Sequence, residues 1–510
     1  MSGRAWLLVA VGAVALLASY PPFPLPVLSF VAVVPAVLLL QDAALDPRRA
    51  YRWGFRYGLA ANAAVLYWIV VALWHFTPLA ALGFVVTVLC LGVFTGWLFW
   101  FVTRVRMAYP ILPLAVVFPV AWTALEWSIG HLGDVAFPWL GLGTSLADAR
   151  ILVQWADLAG ARGVTLWLVW CNVVIAGVVT LWGQWAAIGR RLAPVVVTIV
   201  LAAGYGIWRG QTITLREVGT ISLVQPNIGF HEKWIPERAD SEVATLLSLS
   251  REAASQQPDL VIWPEAALPY FLTLRPNWQS AIGRFASETQ TYVLTGGVHF
   301  EYAEGGRTRT YNAAFLFDSV GQWQPYPVYE KHYLVPVVER VPFVPVSWFR
   351  ALPGLGRWSG GFGRGRDLPV YATPIGRFGV IVCYESAFED LARRYRRAGA
   401  DFLVNVTNDA WFGRTAAPYQ HASHLILRAI ETRMGVARAA NDGISEFVDP
   451  LGRVTQPSKL QTQTVVTGRL RTSDAGSLYA RWGDWVGLVT VLSTLAMVGA
   501  LVVRKWRHSP

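Results

Sequence analysis

Phe378-Gly379-Val380-Ile381-Val382-Cys383-Tyr384-Glu385-Ser386 is the stretch that decides how this chain is read. The four apolar residues Val380 to Cys383, two Val and one Ile among them, mark a buried strand. The strand delivers a cysteine at its end, where a loop or helix begins. A thiol there is expected to be partly exposed and close to unpaired backbone N–H groups, conditions that favour thiolate chemistry. Taken alone, such a cysteine is more often a small core hydrophobe. The rest of the chain weighs the two readings.

The chain has 510 residues, 54% hydrophobic and only 15% charged, with 25 Trp and a net charge of +11. Sparse charge on an apolar chain points to a membrane protein whose basic residues set topology and meet anionic lipid, rather than nucleic acid. No zinc-ligand cluster, phosphate loop or dinucleotide fingerprint stands out. Gly361-Phe362-Gly363-Arg364-Gly365-Arg366 lacks the Lys-Ser/Thr ending of a phosphate loop, and no metal or cofactor is expected. Of the three cysteines, Cys90 and Cys171 lie in apolar runs and only Cys383 lies in the long polar section.

Working back from Cys383, the first two hundred residues form apolar runs near Ala5–Tyr20, Pro26–Leu40, Tyr57–Phe76, Leu82–Phe101, Ile111–Trp127, Val164–Gly183 and Ala193–Trp208. The first two are short for a bilayer crossing, and the first also fits a signal peptide. With the N-terminus inside, Arg48, Arg49, Arg52, Arg56, Arg104, Arg106, Arg190 and Arg191 fall in inner loops. A last run, Trp485–Val503, precedes Arg504, Lys505 and Arg507 and closes the parity at eight spans. The expected domains are 1–209 (seven spans), 210–480 (outside the inner membrane) and 481–510 (the eighth span and a basic tail). Ser473 is taken as an exposed position of the middle domain. The ionisable candidates among the spans, Glu126 and His75, sit near outer ends, which argues weakly against a transporter.

The middle section alternates strand-like runs with amphipathic helices, as in a layered α/β domain. Strands are expected at Ile221–Val224, Leu260–Trp263, Tyr292–Thr295, Ala313–Phe317, Val380–Val382 and Phe402–Val406. Helices are expected near Glu237–Ala254, Asn277–Glu288, Ala387–Ala398 and, longest of all, Gln420–Ala440. Between Val341 and Gly365 a Pro-rich apolar loop carrying Trp348 and Phe349 reads as a mobile flap at a lipid entrance, or as a loop packed on the domain's own core.

Three places join Cys383 in the chemistry. Leu260-Val261-Ile262-Trp263-Pro264-Glu265 is a strand ending in a carboxylate. Tyr329-Glu330-Lys331-His332 places a lysine before Leu334-Val335-Pro336, and Glu339 follows eight residues after Lys331. A Glu can take a thiol proton, and a fixed cation can hold a thiolate or a tetrahedral oxyanion.

In this order, Trp263-Pro264-Glu265, Lys331 and Cys383-Tyr384-Glu385 resemble the Glu-Lys-Cys triad of the nitrilase superfamily. Set between seven spans and one, such a domain looks like the apolipoprotein N-acyltransferase family, and the resemblance runs over essentially the whole chain. Val224-Gln225-Pro226-Asn227-Ile228 with Trp234, Leu334 through Glu339, Asn408-Asp409-Ala410-Trp411-Phe412-Gly413, Arg428-Ala429-Ile430-Glu431 and Phe137-Pro138-Trp139 resemble further family segments. Val337-Val338 and Gly143-Thr144-Ser145 depart from the commoner Phe-Gly and Gly-Tyr-Ser.

The resemblance implies an α-helical transmembrane bundle of eight spans plus a periplasmic αββα sandwich, multi-pass in the bacterial inner membrane. It implies Glu265 as general base, Cys383 as nucleophile, and Lys331 with the Tyr384 N–H at the oxyanion. Glu339 and Glu385 would orient Lys331 and the site. Trp234, Tyr384, Trp411 and Glu431 would contact substrate or support those that do, and Trp139, with Trp348 and Phe349, would line the lipid entrance. The implied partners are a phospholipid acyl donor, preferably phosphatidylethanolamine, diacylglyceryl apolipoproteins and the bilayer. A membrane-tethered amidase using the same residues, and a transporter or scaffold with an inert domain, are the alternatives.

Overall fold

A computed structural model describes residues 2–23, 25–43, 45–74, 81–181, 183–302, 308–340 and 361–507. The chain forms two compact units, one of helices before residue 212 and after residue 481, the other Thr212–Arg481.

In the helical unit, Leu82–Ala108, Ala156–Ala176, Trp185–Thr212 and Trp485–Arg507 are long and apolar enough to cross a membrane. Pro47–Val65 and Trp68–Trp74 add a fifth if the 60° bend between them belongs to one span. Among the described residues, the expectation of eight spans is met to that extent. Leu114–Gly130, at 17 residues, is about 25 Å long at 1.5 Å per residue, short of a hydrocarbon core of about 30 Å. Small residues bring two helices of this unit together: a Cβ on Gly58 would lie 2.6 Å from Thr95 Cβ, and one on Gly54 2.7 Å from the Phe99 ring. Such close backbone approach drives helix association where lipid removes the hydrophobic incentive.

Among the described residues, the second unit has thirteen strands: β1 (Arg216–Gln225), β2 (Leu260–Ile262), β3 (Leu268–Phe271), β4 (Tyr292–Tyr302), β5 (Thr308–Phe317), β6 (Tyr329–Glu330), β7 (Val370–Thr373), β8 (Gly376–Val382), β9 (Phe402–Thr407), β10 (Gly435–Ala440), β11 (Glu446–Val448), β12 (Val454–Thr455) and β13 (Thr464–Thr472). They make two sheets, ordered β13-β1-β2-β4-β5-β6 with β3 beside β4, and β12-β11-β10-β9-β8-β7. The sheets approach each other through β1, β13, β10 and β11. Helices Ala239–Ala254 and Pro276–Thr289 cover the first sheet, and Glu389–Arg397 and Ala417–Thr432 the second. Three of the central parallel strands lead into the site: β2 ends shortly before Glu265, β8 just before Cys383 and β9 just before Asn408. Between the first sheet and its helices, Leu246, Trp263, Ile282, Phe285, Val293 and Phe315 form a continuous core.

Three expectations are corrected here. The helix read as Gln420–Ala440 ends at Thr432: Arg433 is left-handed, at φ 57°, and Gly435–Ala440 is strand β10, fully buried between β9 and β11. Ala-rich sequence favours helix locally, but two strand neighbours override a weak propensity. Ser473 is buried, its hydroxyl donating to the Arg433 carbonyl, and is no surface position. The helix expected from Ala387 begins at Glu389, after a 3₁₀ turn over Cys383–Ala387.

Candidate active site

Glu265 sits in the turn after β2, where Ala266 has φ 49°. Gly296 of β4 lets that turn lie close, since a Cβ there would be 2.5 Å from the Pro264 carbonyl. The carboxylate is buried and fully partnered. Oε1 accepts from Asn312 Nδ2 at 2.7 Å and from Lys331 Nζ at 3.1 Å, and Oε2 accepts from the Asn408 N–H at 3.0 Å.

Lys331 leaves β6 with its N–H on the Asn312 carbonyl, and its ammonium also donates to Glu339 Oε1 at 2.9 Å. Burial alone would lower its pKa, but Glu265 and Glu339 outweigh it and hold the pKa well above the ordinary lysine value. Glu339 is fixed in turn by Asn312 Nδ2 at 2.8 Å and the Val335 N–H at 2.8 Å.

Cys383 lies at the mouth of the same cluster with φ 52°, a left-handed backbone that turns the thiol out of the β8 direction. It is only 7% exposed, so the expected partial exposure is corrected. Burial and the Glu265 charge push its thiol well above the usual range, against Lys331 and a hydrogen bond from Thr407. A thiol so placed stays protonated at rest and needs a base at hand.

Glu385 does not contact Lys331 directly. Its carboxylate takes the N–H groups of His332 at 2.6 Å, Tyr333 at 3.1 Å and Val382 at 2.7 Å, and the Tyr329 hydroxyl at 2.7 Å. It ties the lysine segment to the cysteine turn. Burial pushes its pKa to about 7. Tyr384 packs edge-on against Phe388 at 5.2 Å. Glu431 pairs with Arg428 at 2.9 Å, and Arg428 reaches the Ala387 carbonyl behind the cysteine turn, so Glu431 acts on the turn's far side.

Trp234 is half-buried beside the buried Lys233, and Trp411 is half-buried against Phe230 at 5.1 Å. Trp139, in the helical unit, is buried against Trp68 at 5.0 Å. Glu126, in the same unit, is bonded to Arg162, Thr165, Trp122 and the Leu142 N–H. His75, Trp348 and Phe349, with the rest of 341–360, lie outside the described residues.

Sequence reading missed Asn312, which bridges the two carboxylates that flank Lys331. It missed Lys233, whose ammonium donates to the Glu265 carbonyl at 3.0 Å and is lowered to about 8 by burial. It also gave no role to Asp409, although the segment holding it was noticed.

Residues 220–480 match the carbon-nitrogen hydrolase family, and residues 12–174 match the apolipoprotein N-acyltransferase N-terminal domain. The chain is similar to the apolipoprotein N-acyltransferase of Geobacter metallireducens, at 34% identity over 98% of this chain and 96% of that one. It is similar to that of Brucella melitensis at 31% identity, covering 96% of this chain and 94% of that one. Among solved structures, an amidase of the nitrilase superfamily from Nesterenkonia AN1 aligns with 54% of this chain and 97% of its own, at 17% identity and a TM-score of 0.39. On its full-length relatives and both matched domains, the chain belongs to the apolipoprotein N-acyltransferase family.

Proposed function

We propose that this protein transfers a fatty acyl chain from a membrane phospholipid to the α-amino group of the diacylglyceryl-cysteine that begins an apolipoprotein. The carrying observation is the convergence of Glu265, Lys331 and Glu339 in one buried, fully hydrogen-bonded cluster beside the Cys383 thiol. Glu265 takes the thiol proton and sulfur attacks the ester carbonyl. Lys331, with the Tyr384 N–H, stabilises the oxyanion. Lysophospholipid leaves carrying the proton, and a Cys383 thioester remains. The lipoprotein amine then attacks the thioester, passes a proton to Glu265, and departs acylated as sulfur regains that proton. One nucleophile serving two acyl partners in turn gives ping-pong kinetics.

The distribution of Lys and Arg supports eight spans, both termini in the cytoplasm, and residues 210–480 on the periplasmic side of the inner membrane between segments 1–209 and 481–510. Phosphatidylethanolamine is the preferred donor in this reading. Trp234, Trp411, Tyr384 and Trp139 line the paths of the two substrates. Replacing Trp348 and Phe349 by Ala tests the contact with lipid that the resemblance implies: impaired acyl loading at an unchanged melting temperature supports it, and lower melting with unchanged loading per folded molecule refutes it.

The test of the function is lipoprotein mass spectrometry in a strain depleted of its own N-acyltransferase. The wild-type chain and the Cys90→Ala and Cys171→Ala variants restore triacylated lipoprotein; Cys383→Ala and Cys383→Ser do not. Full triacylation by Cys383→Ala would remove the nucleophile from this account.

A further inference from the structure

Behind the cysteine turn lies a second buried network that the triad does not use. Thr407 ends β9, which runs parallel to β8 with Val406 opposite Val382, so Thr407 and Cys383 are neighbours at adjacent strand ends. The Thr407 hydroxyl donates to Asp409 Oδ1 at 3.2 Å, and from its place at the neighbouring strand end a hydrogen bond turned to the Cys383 sulfur would lower the thiol's pKa. Asp409 Oδ1 is 2.8 Å from His421 Nδ1, and Oδ2 accepts from Arg438 at 2.8 Å. His421 Nε2 is 2.9 Å from the Cys383 carbonyl oxygen. Arg438 is held by the Asn405 side chain and the Ile444 carbonyl. All of these side chains are buried.

We infer that Thr407 is the hydrogen-bond donor to the Cys383 thiolate, and that Asp409, clamped by Arg438 and His421, is the positioning residue that holds both Thr407 and the cysteine carbonyl. This rests on Cys383 being the nucleophile. Two links run from one carboxylate to one residue: through Thr407 to sulfur, and through His421 to the carbonyl that keeps Cys383 left-handed. A carbonyl only accepts, so His421 Nε2 carries a hydrogen. An ionised Asp409 only accepts, so Nδ1 at 2.8 Å carries one too; the 3.3 Å approach of Arg438 to Nδ1 is the weaker contact.

The proton count closes without breaking a covalent bond on Thr407. At rest its one hydroxyl proton points to Asp409. When Glu265 removes the thiol proton, the hydroxyl turns and gives that same hydrogen bond to sulfur, while Asp409 keeps His421 and Arg438. The charged groups facing sulfur are Glu265, Lys331 and Asp409. Those facing Asp409 and His421 are Arg438, Asp442 and His424. Burial would raise Asp409, but Arg438 and His421 outweigh it and hold it below the ordinary carboxylate value.

The test uses the full chain in lipid nanodiscs with Cys90→Ala and Cys171→Ala, so that Cys383 is the one thiol. Iodoacetamide alkylation is followed by intact mass across pH, beside thioester formation from phospholipid. Thr407→Val keeps the side-chain shape and loses the donor. Its alkylation profile moves to higher pH, and acyl loading slows about ten- to a hundredfold, as expected for losing a hydrogen bond to a charged group. Thr407→Ser restores both. An unchanged profile and unchanged loading in Thr407→Val would overturn the inference, whereas a wild type that alkylates normally but never loads acyl would instead fail the proposed function. The clamp is read in the wild type itself, independent of any variant's folding: ¹⁵N shifts of His421, assigned by their loss in His421→Gln, show hydrogen on both ring nitrogens. A bare Nδ1 would overturn it.

Discussion

Replacing Glu265 by Gln separates two properties of Cys383 that a purely structural role would change together. The Glu265 side chain faces donors only: Asn312 Nδ2, Lys331 Nζ and the Asn408 N–H. A Gln keeps one acceptor oxygen but turns an NH₂ toward one of these donors. That mismatch costs about 1–3 kcal/mol, and melting falls by a few degrees. The electrostatic effect has the opposite sign for the thiol. Glu265 raises Cys383 and Lys331 lowers it, so removing the Glu265 charge leaves the cation less opposed. The thiolate is then easier to form, and the alkylation profile moves to lower pH. Acyl loading nevertheless slows by roughly 10²–10⁴, the usual value of a positioned general base. Stopped iodoacetamide labelling, thioester mass and melting temperature, all on one preparation, make the assay. Loading within a few-fold of wild type, or labelling that shifts to higher pH at near-normal melting, would refute this account of Glu265.

Asn312→Asp replaces the amide between Glu265 and Glu339 with a third acid, and should slow thioester formation at least as far as losing one buried charge-assisted hydrogen bond, about 2–3 kcal/mol; normal loading would show that Asn312 holds neither carboxylate. Gly58→Leu should lower the melting temperature, since even a Cβ meets Thr95 at 2.6 Å, whereas Gly204→Leu, with nothing within 4 Å, should not. Equal melting of the two would remove the close helix contact from the account. Ser248, exposed on the helix Ala239–Ala254, replaces Ser473 as a reporter of topology. Ser248→Cys in the Cys90→Ala and Cys171→Ala background should react with an impermeant maleimide once the outer membrane is permeabilised. Labelling only after inner-membrane lysis would overturn the periplasmic assignment.

Much of the site was legible because the residues in question end strands. Glu265 and Cys383 follow apolar runs that could only be buried, and Lys331 precedes a Pro turn. The partners of these groups were not legible. Asn312 lies inside β5 and Asp409 after β9, and only strand pairing brings them to Glu265 and Cys383. Gly435–Ala440 gave the wrong period because strands buried on both faces carry no alternation, and its alanines favour helix. The exposure of Cys383 was misjudged for a related reason. A strand end is open in an isolated strand, but here the tertiary fold leaves Cys383 only 7% exposed. The number of spans is legible only in part, because apolar runs mark burial of any kind. In the helix Ala156–Ala176 much of that burial is against protein.

The central claim is that Cys383 carries the acyl chain between two substrates. Its most direct test is the intact mass of the purified full-length protein after incubation with phosphatidylethanolamine of defined acyl composition and no lipoprotein. The account predicts a gain of one acyl group, located on Cys383, released by hydroxylamine and absent from Cys383→Ala. An unmodified wild-type mass, from a preparation that still N-acylates added lipoprotein, would contradict it.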